Sequence, residues 1–478
     1  MNALRRLAAL ASTLALASAC ATPGRPGPSP GPAAEAPAAP AMPARGGPVA
    51  AGRAAEPPVR VLARATIGAV GDVLMHEAVK RSAETHGRGA ADAGYAWLYA
   101  PIADLLSAPD VTFANLETPI APAAGGGTRE YVFNAPPDAV AALRDAGVDV
   151  VSVANNHAFD QGRAGFEETL RRIEAGGLRV VGAGPAERPA GPVVVGASGL
   201  TLAFLGWAQF FNQDGNACPP ARPGAAPCLQ AAQLDRARAL DAVREAAAQA
   251  DAVVVSLHWG VEYEPQPRAE DVELAHALAD AGALVVLGHH PHVLQPVELY
   301  RRADGRTAVI AYSLGNFVSN QSRRYVHGIT PEKAAATRDG LLLRVVLARR
   351  DYGRGVVRVE VDGSDALPLW TDNDTAEFDP KVEPGRRPAI RVVAVDRALA
   401  EVRSELSRFP DPVPTDAQSR WIALRRREAL LASRRAAVGA VVGDDLLRTL
   451  SAAELAAPAP ATAGAPPPPG AATPAAAP

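Results

Sequence analysis

A chain of 478 residues is long enough for one large domain with extensions, or for two domains. Hydrophobic residues make up 48% of it and charged residues 21%, an ordinary balance for a globular protein with a substantial core. The formal net charge of -3 supplies no whole-chain field of the kind that draws a protein to nucleic acid, so no nucleic-acid partner is expected.

At the start of the chain Arg5 and Arg6 precede an apolar run over 7–19, and Ala17, Ser18 and Ala19 lead into Cys20. Basic, apolar and small-residue segments in that order form a secretory signal. Cys20 stands where a lipoprotein signal carries its lipidated cysteine, so the chain is expected to be exported, as a membrane-anchored lipoprotein or a periplasmic cell-envelope protein. Residues 21–60 are dominated by Ala, Pro and Gly and cannot bury a core; they are expected to be a disordered linker. The tail over 456–478 has the same composition and the same reading. Beyond Cys20 only Cys218 and Cys228 remain, flanking a Pro/Gly-rich loop, and in an oxidising compartment they are expected to form a disulfide. Two cysteines are too few for a cysteine-rich zinc site.

Between the tails, apolar strands alternate with helical segments. The pattern predicts a strand over 65–70, a short strand over 110–114, a helix over 138–145 and a strand over 148–154. A helix over 165–175 follows, then a hairpin over 192–206 turning at Ala197, Ser198 and Gly199. A helix over 234–248, a strand over 252–257, a helix over 270–281 and a strand over 284–287 come next. Four strand-like runs, 293–300, 308–314, 341–347 and 356–361, then succeed one another without a helix. The alternation predicts an α/β fold, and the late strands predict a second sheet packed on the first. Residues 389–445 read as a mostly helical, Arg-rich appendage.

Polar residues collect just past the ends of the apolar strands: Asp72, Glu117, Asn156, His157, His258, His290 and His292. Open α/β sheets bind ligands outside the carboxyl ends of their strands, so these residues are candidates for one site. A mixed set of carboxylate, amide and imidazole donors suits Mn, Fe or Zn.

The motifs in chain order are Gly71-Asp72-Val73-Leu74-Met75-His76, Asn115-Leu116-Glu117, Asn155-Asn156-His157-Ala158-Phe159-Asp160 and His258-Trp259-Gly260-Val261-Glu262. Gly288-His289-His290-Pro291-His292 and Tyr312-Ser313-Leu314-Gly315-Asn316-Phe317 complete the series. Together they resemble the CapA family, named for capsule synthesis and poly-γ-glutamate production, over roughly 65–370. That domain is in turn similar to the calcineurin-like metallophosphoesterases. The resemblance implies a four-layer αββα sandwich with a divalent-metal site of one or two ions. It implies metal ligation by Asp72, Asn156, His258, His290 and His292, with His157 contacting substrate, where an imidazole could act as catalytic general acid or stabilise the developing charge. The superfamily opens with Asp-x-His, whereas the residue two after Asp72 here is Leu74. Its bridging aspartate is replaced here by the Asn115-Leu116-Glu117 region, where Glu117 is the candidate ligand.

Around these, Asp160 and Glu262 are expected to orient ligand imidazoles, Trp259 to line the pocket, and His289 to pack or hydrogen-bond behind the ligands. Tyr312 and Asn316 are read either as substrate contacts or as parts of a strand and tight turn. His76, His86, His276 and His327 are expected to be structural. The first functional reading is a metal-dependent hydrolase-like protein of capsule or poly-γ-glutamate synthesis, export or processing. Its substrate would be an anionic polymer or phosphoester, and its partner a capsule synthase or export complex. Two alternatives stand beside it: a non-enzymatic accessory protein that binds the polymer or its synthase, and a periplasmic metallophosphatase.

Overall fold

The structure is a computed structural model that describes residues 58–89, 93–220, 227–378, 381 and 385–456. The expected signal segment, Cys20, the linker up to residue 57 and the tail beyond residue 456 lie outside the described residues.

The described chain opens with β1 (Arg60–Val73), α1 (Glu77–His86), α2 (Ala103–Leu106), β2 (Val111–Asn115), α3 (Asp138–Asp145) and β3 (Val150–Ser152). It continues with α4 (Gly162–Ala175), β4 (Arg179–Val181), β5 (Ala183–Pro185), β6 (Val193–Ala197), β7 (Leu200–Ala208), β8 (Leu229–Ala231), α5 (Arg236–Ala247) and β9 (Ala252–His258). Then come α6 (Ala269–Ala281), β10 (Ala283–His289), β11 (Val297–Arg301), β12 (Thr307–Ala311), β13 (Asn316–Val318), β14 (Asp339–Asp351) and β15 (Val357–Asn373). The last elements are β16 (Ile390–Ala394), α7 (Val395–Leu406), α8 (Gln418–Val442) and α9 (Ala452–Ala456). This is the mixed α/β fold that the alternation of strands and helices predicts.

Two sheets carry it. The larger runs β16-β15-β14-β1-β2-β3-β4, with β13 also pairing β1; the smaller runs β11-β12-β10-β9-β7-β6. β1 to β4 are parallel neighbours, as are β7, β9, β10 and β12. The late strands divide differently from expectation. β11 and β12 complete the smaller sheet, but β14, β15 and β16 extend the larger one, so they form no second sheet of their own. The reason lies in β1, whose long free edge pairs antiparallel with β14 from Arg60↔Asp351 to Ala69↔Leu343 while β2 occupies its other edge.

Period-two alternation divides the core. Ile67, Ala69, Val111, Phe113 and Val150 of the larger sheet share one buried cluster with Phe204, Val254, Val285, Leu287 and Val309 of the smaller. The opposite face of the larger sheet buries Ala114, Val151 and Val70 with α3 and α4 residues such as Val140, Leu143, Phe166 and Ile173. The opposite face of the smaller sheet buries Val253, Val255, Leu257 and Val286 with Val243 of α5 and Leu278 of α6. The C-terminal region opens with a strand, β16, at the edge of the larger sheet, and α7 and α8 then pack around Trp370 and Val393. Val438, Val442, Leu446 and Leu447 reach the cluster between the sheets.

The smaller elements follow local chemistry. Asp235 caps α5 by accepting from Arg238 N at 2.9 Å, which satisfies one of the amides a helix start leaves open. Cys218 and Cys228 are joined by a disulfide.

Candidate metal centre

Alternation also explains why the site residues face one another. In β2, Phe113 points into the layer between the sheets, so Asn115 and then Glu117 project to the same side. In β9, Val254 faces that layer, and so does His258 four residues on. In β10, Leu287 does so, and His289 follows two residues later, its ring 5.7 Å from Phe113. The apolar layer thus turns polar where the parallel strands end, and Asp72, Glu117, Asn156, His258, His289, His290 and His292 are all buried there.

Two glycines let distant backbone close over this edge. A Cβ on Gly71 would stand 1.8 Å from Gly315 O, and one on Gly288 would stand 1.9 Å from Tyr312 O. Only glycine admits that approach. It brings Asn316 beside the His290-Pro291-His292 turn, where Asn316 Oδ1 is 3.1 Å from His292 Nδ1. Within that turn both histidines take left-handed backbone, φ 97° at His290 and 59° at His292. Such conformations cost about 1–3 kcal/mol each and concentrate at functional sites.

Glu117 Oε1 is the hub. It lies 3.9 Å from His157 Nε2, 3.6 Å from His258 Nε2 and 3.8 Å from His292 Nε2. These separations are too long for hydrogen bonds, and Glu117 Oε1 has no hydrogen-bond partner although it is buried. Donors about 2.1 Å from one shared cation stand roughly 3.0–3.5 Å apart, somewhat closer than the 3.6–3.9 Å seen here. Beside the hub, Asp72 Oδ1 accepts from Asn115 Nδ2 at 2.8 Å and Asp72 Oδ2 lies 3.1 Å from His292 Nδ1. His258 Nε2 is 2.9 Å from Asn156 Oδ1. Three groups of donors each converge within 4.8 Å: Glu117, His258 and His290; Asp72, Glu117 and His292; and Glu262, His290 and His292. Orphaned buried donor atoms around a shared carboxylate fit a divalent cation. A purely hydrogen-bonded polar core would have paired them.

The electrostatics agree. Burial would raise Asp72, but the adjoining imidazoles of His289 and His292 hold its carboxyl well below the usual range. Burial, then the carboxylates of Asp72, Glu262 and Asp160, push Glu117 well above it. Burial and the neighbouring His290 hold His258 neutral, and burial with His292 lowers His290 to about 4. Neutral imidazoles are the form that ligates metal.

His157 has a fixed orientation. Its Nδ1 is 2.8 Å from Asp160 Oδ2, which also accepts the Phe133 amide at 2.7 Å. Asp160 Oδ2, already accepting from the Phe133 amide, is the acceptor here, so Nδ1 donates to it and Nε2 is turned toward Glu117. Glu262 is exposed at the mouth. His289 is fully buried, its Nδ1 3.3 Å from Asp72 Oδ1 but outside hydrogen-bond geometry. Two predicted residues lie elsewhere. Trp259 is buried in the cluster between the smaller sheet and α5 and α6, its indole donating to Tyr312 O at 3.1 Å. The Tyr312 hydroxyl donates to Glu298 at 2.6 Å on that same side. His276 also meets Glu298, at 2.9 Å.

Sequence reasoning passed over Asn115 itself, whose amide reaches Asp72, Glu117 and His258. Its position two residues before Glu117 on a strand was the available signal. Phe133, 4.6 Å from His157, and Phe210, 5.2 Å from His290, carried none, because aromatic residues in loops have no period to betray them.

The described residues thus form an α/β protein whose parallel strand ends gather buried carboxylate, amide and imidazole donors, an arrangement compatible with a divalent cation. Residues 66–321 match the family model described as bacterial capsule synthesis protein PGA_cap. The chain is 32% identical over 331 residues to the PGA biosynthesis protein CapA of Bacillus subtilis, covering 68% of this chain and 79% of that one. It is 31% identical over 264 residues to the capsule biosynthesis protein CapA of Bacillus anthracis, covering 54% and 60%. A probable polyglutamine synthesis accessory protein of Mycobacterium tuberculosis is 33% identical over 201 residues, covering 41% and 53%. The chain belongs to the CapA (PGA_cap) family.

Proposed function

We propose that the chain acts in capsule or poly-γ-glutamate synthesis, export or processing at the cell envelope, through a metal-dependent hydrolase-like site. One observation carries the site: Asp72, Glu117, Asn156, His258, His290 and His292, drawn from five separate stretches of chain, meet in one buried volume whose donor atoms are partly orphaned. These residues would hold one or two divalent ions, with Mn, Fe or Zn suited to the mixed donors. A cation so bound supplies Lewis acidity that polarises a phosphoryl or acyl oxygen and makes water nucleophilic near neutral pH. His157, its Nδ1 proton committed to Asp160, presents Nε2 to the site as general acid and base. Asn115 fixes Asp72 and His258 against each other. The reading includes a four-layer αββα arrangement of metallophosphoesterase type. It also includes export, membrane anchoring through a lipid on Cys20, and work beside a capsule synthase or export complex on an anionic polymer or phosphoester.

The test is metal analysis of the purified full chain beside His290→Ala, with hydrolysis of generic phosphoesters and of γ-glutamyl polymer followed with and without Mn. The expected result is a bound transition metal, an affinity about 100-fold lower in the variant, and Mn-dependent turnover. No metal in the unmodified protein overturns the hydrolase. A second reading, an accessory protein that binds polymer or synthase, is favoured by Leu74, an apolar and buried residue two after Asp72. Metal without turnover on either substrate supports that second reading.

A further inference from the structure

The loop that follows β9 is fastened to the His-Pro-His turn along its length. Trp259 N donates to His289 O at 3.1 Å, Tyr263 N donates to Pro291 O at 2.8 Å, and Gln295 Nε2 donates to Glu264 O at 2.8 Å. The loop pays for this placement in backbone strain. Gly260 takes φ 88° and Tyr263 takes φ 66°, a conformation a bulky aromatic residue rarely adopts. Between them Glu262 is exposed to solvent, and its carboxylate converges with a ring nitrogen of His290 and one of His292 within 4.8 Å. His290 is 3% exposed, and its Nδ1 has no hydrogen-bond partner among the described residues. The three cross-loop bonds fix the loop on either side of Glu262, and the Tyr263 side chain is itself hydrogen-bonded to the Glu262 carboxylate.

We propose that Glu262 is itself a metal ligand, completing with His290 and His292 an outer, solvent-facing cation position beside the inner one built on Glu117 and His258. The inference rests on the metal-binding reading above and adds to it Glu262 as the ligand that makes the outer position. Charge supports it. Asp72, Glu117 and Glu262 together bring three carboxylates to two dications, leaving a small positive excess at the mouth to meet an anionic oxygen from solution. One carboxylate, two imidazoles and open positions suit Mn, Fe or Zn at an exchangeable site.

The test is Mn stoichiometry of the full chain by equilibrium dialysis and elemental analysis, beside Glu262→Gln and the control Glu264→Gln. The control's carboxylate belongs to none of the three donor groups. Thermal unfolding without metal checks that both variants fold. The expected result is two Mn per chain in the unmodified protein and in Glu264→Gln, and one in Glu262→Gln. Two in Glu262→Gln as well, the result of a glutamate that is only a counter-ion to the imidazoles, overturns this inference and leaves the metal site standing. One in the unmodified chain also overturns it. None there overturns both readings.

Discussion

Buried charge at single residues is resolved in this protein by pairing or by suppressing ionisation, and Asp339 shows the second. It is 5% exposed, 3.1 Å from Arg434 Nε, and burial lifts its carboxyl to about 7 against the pull of Arg434 and Arg338. The folded chain therefore keeps a proton that the unfolded chain releases between about pH 4 and pH 7. Stability contributed by that proton is present at the acid end of the window and declines as pH rises through it, by on the order of 4 kcal/mol. Arg434 keeps a second partner, Glu332, at 2.9 Å, so Asp339→Asn does not strand it. Urea unfolding at pH 4.5 and 7.5 is expected to show a smaller loss in Asp339→Asn than in the unmodified chain. Equal losses would rule the titration out.

Among the elements, the strand ends rather than the strands make the site. Gly288 closes β10 and lets residue 312 pass so near that any side chain collides with backbone. Gly288→Ala is expected to cost about 3 kcal/mol, and to shift the adjoining His289 and His290 so that Mn affinity falls with stability. A Gly288→Ala protein with unchanged thermal midpoint and Mn affinity would show that the close approach is not required. Helices were legible in the sequence where an apolar stripe repeated: α3 spans Asp138–Asp145, as its spacing predicts, and α6 begins one residue before its predicted start. The strand ends were legible because apolar runs stop abruptly at Asp72, Glu117, His258 and His289. The fate of the late strands was not legible, because alternation in β14 tells which residues face a core but not which strand lies beside it.

At the scale of the molecule, the C-terminal region is part of the body. Val393, Val395, Leu399, Val402 and Leu431 are buried around Trp370, and Val438, Val442 and Leu447 lie between or beside the sheets. Their removal would expose Trp370 and part of the cluster between the sheets, and a domain stable by only ~5–15 kcal/mol has little margin for that. A chain ended at residue 388 is expected to lose cooperative unfolding and to aggregate; a sharp thermal transition in that truncated chain would contradict the packing described. The sequence by itself determined the α/β class, the order of motifs and the residue types brought to the strand ends, since periodicity and chemistry are local properties of the chain. Only the tertiary structure decided that Glu117 is the hub, that Asn115 ties Asp72 to His258, that Glu262 reaches the His-Pro-His turn and that Trp259 and Tyr312 turn away. Those facts depend on distances between segments as much as 220 residues apart, as Asp72 and His292 are, and nothing local encodes them.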